Sequence, residues 1–361
     1  MTSEPVVFEE LATADGGVIG VARLNVPRSL NALSLDIIHL LRDQFDAWAE
    51  QDAVRAVWLE GAGDKAFCAG GDIVALYRDM TEPRSDSSRP GVGERFFTDE
   101  YQLDYRIHTF PKPVVVWGNG VVMGGGIGLL VGGSHRVVTE SSRLAMPEVS
   151  IGLYPDVGAG WFLNRMPGRV GLFLGLTGVH MNAADAIFTD LADRFISHDR
   201  RDDVMAMLLN TDLTDSAHAG ISRVLRQFEA ESRDQRPESP VRQHFDQIQR
   251  VTDGDSLTEV VDNLQRMAEQ EPWFERPAKT VAAASPTAMA LHWRHYHRSA
   301  LDSLAQVLDR ELALSLRCLE KGEFAEGVRA LLIDKDKQPR WQYPTLESLD
   351  EAWVESFFSA P

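Results

Sequence analysis

Apolar positions change period repeatedly in the first third of the chain, and each change predicts an element. Val18–Leu24 and Arg55–Leu59 are rich in β-branched and aromatic residues and bounded by glycine or proline, which predicts two strands. Between them Ile37, Ile38, Leu41, Phe45 and Trp48 recur at steps of one, three, four and three, the stripe of an amphipathic helix that Ser34 is placed to cap. The layering is of a β-β-α kind. Pro113–Gly133 then runs 21 residues without a charge, long enough to span a bilayer, but eight of them are glycine. Each interior glycine weakens a helix by about 1 kcal/mol relative to alanine. The run therefore divides into a short buried strand, Val114–Trp117, and a glycine-rich turn that opens a helix.

Thr81–Gly93 is a polar stretch with two prolines and two glycines, predicted as a surface loop and a candidate lid. From Ile187 onward the pattern is helical, broken at Glu231–Pro240 by a charged, proline-bearing linker. Leu301, Leu304, Leu308, Leu312, Leu316 and Leu319 keep steps of three and four, a stripe expected in a core or a subunit interface. The domain reading is a core over residues 1–195, a helical insert and linker region over 196–284, and a C-terminal helical region over 285–361.

Composition narrows the classes of function. Lys and Arg number 36 and Asp and Glu 54, so the formal charge is 36 − 54 = −18, which argues against a nucleic-acid face and against adsorption on anionic membrane. Any polyanionic ligand must find a local cationic pocket. Cys68 and Cys318 cannot staple 361 residues and have no CxxC spacing, so neither a disulfide framework nor a structural zinc site is expected. Met1–Pro5 has no basic and apolar leader pattern, and a cytoplasmic location is expected.

Four motifs come close and fail. Gly118-Asn119-Gly120 follows a strand as a dinucleotide fingerprint would, but Met123 stands where its third glycine belongs. Gly132-Gly133-Ser134-His135-Arg136 lacks the final glycine of a nucleophile elbow. No phosphate-cradling GxxxxGK[ST] run exists. On a helix His297 lies about 140° around from His292, so His292, His295 and His297 read as a solvated histidine-rich face and not a metal site. Cys68 sits in an apolar setting with no histidine near in sequence and reads as a packing residue.

Three stretches carry a resemblance. Lys65-Ala66-Phe67-Cys68-Ala69-Gly70-Gly71-Asp72-Ile73, Met123-Gly124-Gly125-Gly126-Ile127-Gly128-Leu129, and Met146-Pro147-Glu148 through Pro155-Asp156-Val157-Gly158 are similar, together and in order, to the signatures of the crotonase (enoyl-CoA hydratase/isomerase) superfamily. Ser285-Pro286-Thr287 and Glu326–Asp336 resemble its thioester-hydrolase subgroup. The resemblance implies an α/β fold, a crotonase-type spiral of β-β-α units, with a C-terminal helical region that closes the site and packs subunits.

It also implies a chemistry. The amides of Gly71 and Gly125 would form the oxyanion hole, and rigid backbone donors suit the charge that develops on a thioester carbonyl. Glu148, a carboxylate among apolar residues, would be base or nucleophile with a raised pKa. Asp156 and Glu100 would hold the substrate, and Arg28 would contact the CoA moiety. Hydratases of the superfamily use a second glutamate just after the glycine triplet, where this chain has Gly128. The expectation is therefore hydrolysis of a short branched 3-hydroxyacyl-CoA, 3-hydroxyisobutyryl-CoA from valine breakdown, with no metal or redox cofactor and a homo-oligomer, a trimer or a multiple of it, as the assembly. A hydratase or isomerase acting on another acyl-CoA is the rival enzyme, and a non-catalytic acyl-CoA-binding subunit the rival from outside enzymes.

Overall fold

The computed structural model describes residues 4–82 and 91–359. Residues 83–90, most of the predicted loop and candidate lid, lie outside the described residues. The chain forms two compact units, each assembled from three separated stretches. Met1–Gly71, Gln102–Leu144 and His180–Arg242 make the first; Asp72–Tyr101, Ala145–Val179 and Gln243–Pro361 make the second.

In the first unit β1 (Val6–Ala12) pairs antiparallel with β2 (Val18–Leu24), and β3 (Val54–Gly61), β5 (Val114–Gly118), β7 (His135–Val138) and β9 (Arg194–Phe195) follow in parallel, in the order β1-β2-β3-β5-β7-β9. The short strands β4 (Ala66–Cys68), β6 (Val121–Met123) and β8 (Arg143–Ala145) form a second sheet in that order. Three times in succession, at β3–β4, β5–β6 and β7–β8, the chain lays one strand in each sheet before the next crossover. That is the expected β-β-α spiral, and both predicted strands and the Val114 strand are present.

Parallel strands are covered on both faces, which is why β5 reads as an unbroken apolar run and is buried throughout. Trp58 and Trp117 stack at 5.4 Å within a core that reaches from Ile19 to Phe228. The predicted amphipathic helix is Leu35–Glu50, with the Ser34 hydroxyl accepting from the Ile37 amide and Ile37, Ile38, Leu41, Phe45 and Trp48 buried. Gly20 lies so close to the Trp48 ring that a Cβ there would meet it at 2.7 Å. Ser134 serves the fold, since its hydroxyl accepts from the Val114 amide at 2.9 Å.

The second unit is mostly helical, and one expectation fails in it. His292 and His295, on the helix Pro286–Arg298, are buried, and only His297 is exposed. Burial pushes the His292 imidazole down to about 3, and it packs as a neutral ring against Gly175. A solvated histidine face was the wrong reading because the large helix-facing surface of this unit takes up the imidazoles as packing groups. The leucine stripe lies only partly in this unit's core. Leu301 precedes the helix Leu304–Lys321 and is 99% exposed, while the buried face is Val307, Leu308, Glu311, Leu314, Ser315 and Cys318. Leu312, Leu316 and Leu319 are only half-buried. Glu311 and Ser315 turn inward because hydrogen-bond partners wait for them there.

Candidate functional site

The two glycine segments meet in the first unit. Beyond β4 the backbone turns at Gly70, φ +95°, whose carbonyl accepts from the Leu33 amide at 2.8 Å, and Gly71 pairs with Leu33 in a single bridge. At the other segment Gly124, φ +49°, opens the helix Gly125–Gly132. A Cβ on Gly70 would sit 3.0 Å from the Met123 carbonyl oxygen and 3.6 Å from the Gly125 nitrogen. Backbone is thus packed on backbone, and the Gly125 amide stands at the positive end of a helix.

Sequence reasoning missed the residue that clasps this arrangement. Asn31 is fully buried in the left-handed region, φ +55°; its Nδ2 donates to the carbonyls of Ala66 (2.9 Å) and Ala62 (3.1 Å), and its Oδ1 accepts from the Val26 amide (3.0 Å). One asparagine so ties the loop before the first helix to the strand that leads to Gly70. Arg28, in the 3₁₀ turn Pro27–Ser29 of the same loop, is exposed.

The carboxyl groups gather in the second unit. Glu148 begins the 3₁₀ turn Glu148–Ile151 and is 5% exposed, with Oε2 buried and without a hydrogen-bond partner. Burial holds its carboxyl well above the usual range, and the Asp156 charge pushes the same way. Asp156 is 4% exposed and is followed by Val157 at φ +55° and Gly158 at φ +87°. A β-branched residue in the left-handed region costs on the order of 1–3 kcal/mol, and such strain persists only where surroundings enforce it.

Glu311 enforces it. Its Oε2 accepts from the Gly158 amide at 2.6 Å and its Oε1 from the Gly160 amide at 2.9 Å, while His295 Nε2 lies 2.9 Å from the same Oε1. The buried carboxylate and imidazole therefore serve the turn that presents Asp156. Asp156 Oδ2 and the Tyr101 hydroxyl lie 2.6 Å apart, the hydroxyl donating when the carboxyl is ionised. Burial pushes its carboxyl up to about 7, against the Tyr101 hydrogen bond and with the help of the Glu311 charge. Glu100 is buried beside Tyr101 in sequence on the helix Val92–His108.

Tyr101, Tyr154, His295, Glu311 and Ser315 were not read as site residues. A signal for two of them existed: Val307, Glu311, Leu314, Ser315 and Cys318 keep helical spacing, and a glutamate on such a stripe needs buried partners.

These shifts predict a pH dependence of stability. A carboxyl whose pKa is raised on folding binds its proton more tightly in the native state, so its contribution is full below the unfolded value and is lost as pH climbs to the folded one. Wild-type stability should fall between about pH 4 and about pH 7 through Asp156, by about 1.4 kcal/mol for each pH unit in that window. Asp156→Asn should flatten that fall. Urea unfolding at intervals across this range checks it, and an equal slope in both proteins would contradict the assignment.

The comparisons with known proteins fit this geometry. The family model described as enoyl-CoA hydratase/isomerase matches residues 19–358. The chain belongs to the enoyl-CoA hydratase/isomerase family. Among its members, the protein named 3-hydroxyisobutyryl-CoA hydrolase, mitochondrial, is 36% identical in Danio rerio, covering 98% of this chain and 89% of the relative. The Homo sapiens protein of the same name is 34% identical over 100% of this chain and 91% of its own. Among solved family structures, one described as a carnitinyl-CoA dehydratase from Mycobacterium thermoresistibile matches with a TM-score of 0.87 at 33% identity, over 99% of this chain and 97% of that one. Another, an enoyl-CoA hydratase from Rhodobacter sphaeroides 2.4.1, gives 0.84 at 32%, with the same coverage. The expected crotonase fold is thereby established. The names of the curated relatives place those proteins in mitochondria, so they lend the expected cytoplasmic location no support. Among the described residues no helix is long and apolar enough to cross a membrane.

Proposed function

We propose that the chain hydrolyses 3-hydroxyisobutyryl-CoA to 3-hydroxyisobutyrate and CoA, as the names of its relatives describe for them. The observation that carries the reading is the pair Glu148 and Asp156, two buried carboxyl groups of different surroundings: one with an oxygen left without a partner, the other hydrogen-bonded by Tyr101. Environments that hold two carboxyls differently divide base from acid or acceptor. Glu148 acts as base or nucleophile toward the thioester carbonyl. The amides of Gly71 and Gly125 are the oxyanion donors, Asp156 and Glu100 receive the substrate hydroxyl, and Arg28 meets the CoA moiety. No metal or redox group is needed for this step, since water, a base and hydrogen-bond donors suffice. The place in metabolism is valine breakdown, and the assembly is a homo-oligomer, a trimer or a multiple of it. Two buried cysteines outside any disulfide fit a reducing compartment such as the cytoplasm.

The dehydratase and hydratase descriptions of the two solved structures make hydration the rival. Gly128 speaks against it: the position is buried within the helix Gly125–Gly132 and has no side chain to act as the second acid or base. Thiol release from 3-hydroxyisobutyryl-CoA, measured beside loss of the enoyl absorbance of crotonyl-CoA, separates the two. The expected result is rapid release of thiol and no useful hydration. Hydration without thiol release would overturn the proposal.

A further inference from the structure

A chain of oxygen atoms runs inward from Asp156. Asp156 Oδ2 lies 2.6 Å from the Tyr101 hydroxyl, which lies 2.7 Å from Ser315 Oγ; Ser315 Oγ lies 2.9 Å from the Tyr154 hydroxyl, which lies 2.7 Å from the main-chain carbonyl of Glu311. Every member is buried. The chain holds four oxygen–oxygen contacts at hydrogen-bond distance, and each needs one hydrogen between its two atoms. The three hydroxyls supply only three. With Asp156 ionised, one contact brings lone pairs together at 2.6–2.9 Å with nothing between them. With Asp156 neutral, a single orientation satisfies all four: the carboxyl donates to Tyr101, Tyr101 to Ser315, Ser315 to Tyr154, and Tyr154 to the Glu311 carbonyl.

We propose that the Tyr101–Ser315–Tyr154 hydroxyl relay holds Asp156 as a neutral carboxylic acid in the resting protein, so that no Asp156 charge opposes the ionisation of Glu148. Tyr101, Ser315 and Tyr154 are positioning residues in this scheme. The charges around the site agree with it: the Glu311 carboxylate on the helix Leu304–Lys321 opposes the ionisation of Asp156, and an ionised Asp156 in turn opposes that of Glu148 on its 3₁₀ turn, Tyr101 on the helix Val92–His108, Tyr154 on the intervening turn and Cys318. The base His295, whose ring lies 5.6 Å from that of Tyr154, is already engaged by Glu311. An ionised Asp156 would sit among other acids and would oppose the ionisation of Glu148.

The proton can be observed without substrate, so the test does not depend on the thioesterase proposal; only its kinetic arm rests on that reading. Infrared difference spectra between wild type and Asp156→Asn should show the carbonyl stretch of a protonated carboxyl group at about pH 6, lost as the pH rises through about 7. Ser315→Ala leaves two contacts and two hydroxyl hydrogens, so the band should vanish at least about one pH unit lower. Ser315→Thr, which keeps the hydroxyl, should restore it. Tyr154→Phe removes the same demand for a fourth hydrogen and serves as a second variant should Ser315→Ala fold poorly by circular dichroism. In the kinetic arm, the acidic limb of kcat/KM should move to higher pH in Ser315→Ala and Tyr154→Phe, because an ionised Asp156 raises Glu148, and stay in place in Ser315→Thr. A residue that merely packs would lower the rate without moving the limb. Absence of the carboxyl band in wild type, or its titration at one pH in all variants, would overturn the relay; absence of thiol release in wild type with the band intact would overturn the thioesterase proposal instead.

Discussion

Glu148→Gln should lower thiol release from 3-hydroxyisobutyryl-CoA by about 10²–10⁴-fold, the usual contribution of a general base, while leaving the fold intact. The side chain is 5% exposed and Oε2 has no partner, so the amide occupies the same space and removes a carboxyl that burial already keeps hard to ionise. At neutral pH the thermal midpoint should therefore stay within a few degrees of wild type. Loss of activity with retention of stability is the signature of a residue placed for chemistry. Steady-state thiol assays and a thermal melt on one preparation check both halves. A rate within about threefold of wild type would remove Glu148 from the mechanism.

The second large effect concerns the substrate hydroxyl. Isobutyryl-CoA should be at least about 100-fold poorer than its 3-hydroxy analogue in kcat/KM, because a site built to bond a hydroxyl leaves its own polar group unpaired when the hydroxyl is missing. Asp156 is the group expected to read it. The Tyr101 hydroxyl engages Oδ2 at 2.6 Å, and Oδ1 is assigned to the substrate. Asp156→Ala should bring the two thioesters to within about tenfold of each other. The competing role is structural, since Asp156 precedes the strained Val157–Gly158 turn and its carbonyl accepts from the Ala159 amide at 3.0 Å. That role would lower both activities together. A ratio unchanged by the substitution would leave Asp156 a turn residue and move the hydroxyl contact to Glu100.

Local pattern determined much of this protein. The amphipathic stripe of Leu35–Glu50 with its Ser34 cap, the strand at Val18–Leu24, and the strand and glycine turn around Val114 and Gly124 are legible because each depends on residues within a few positions of one another. The glycine and Pro-Glu motifs also singled out Gly71, Gly125, Glu148 and Asp156 as candidates, though not what surrounds them. The histidines were misread because helical period shows which residues share a face, but not which face finds a partner. His292 went inward onto Gly175, and Glu311 and Ser315 displaced Leu312 and Leu316 from the buried side. Those outcomes rest on contacts across large separations. Tyr101 reaches Ser315 over 214 positions, Tyr154 reaches it over 161, and Gly158 reaches Glu311 over 153. No window of sequence contains both ends of such a bond. Only the tertiary structure brings a buried carboxylate to the amides after Asp156 and a hydroxyl relay to its side chain, because the cost of burying those polar groups is offset only when all of them meet.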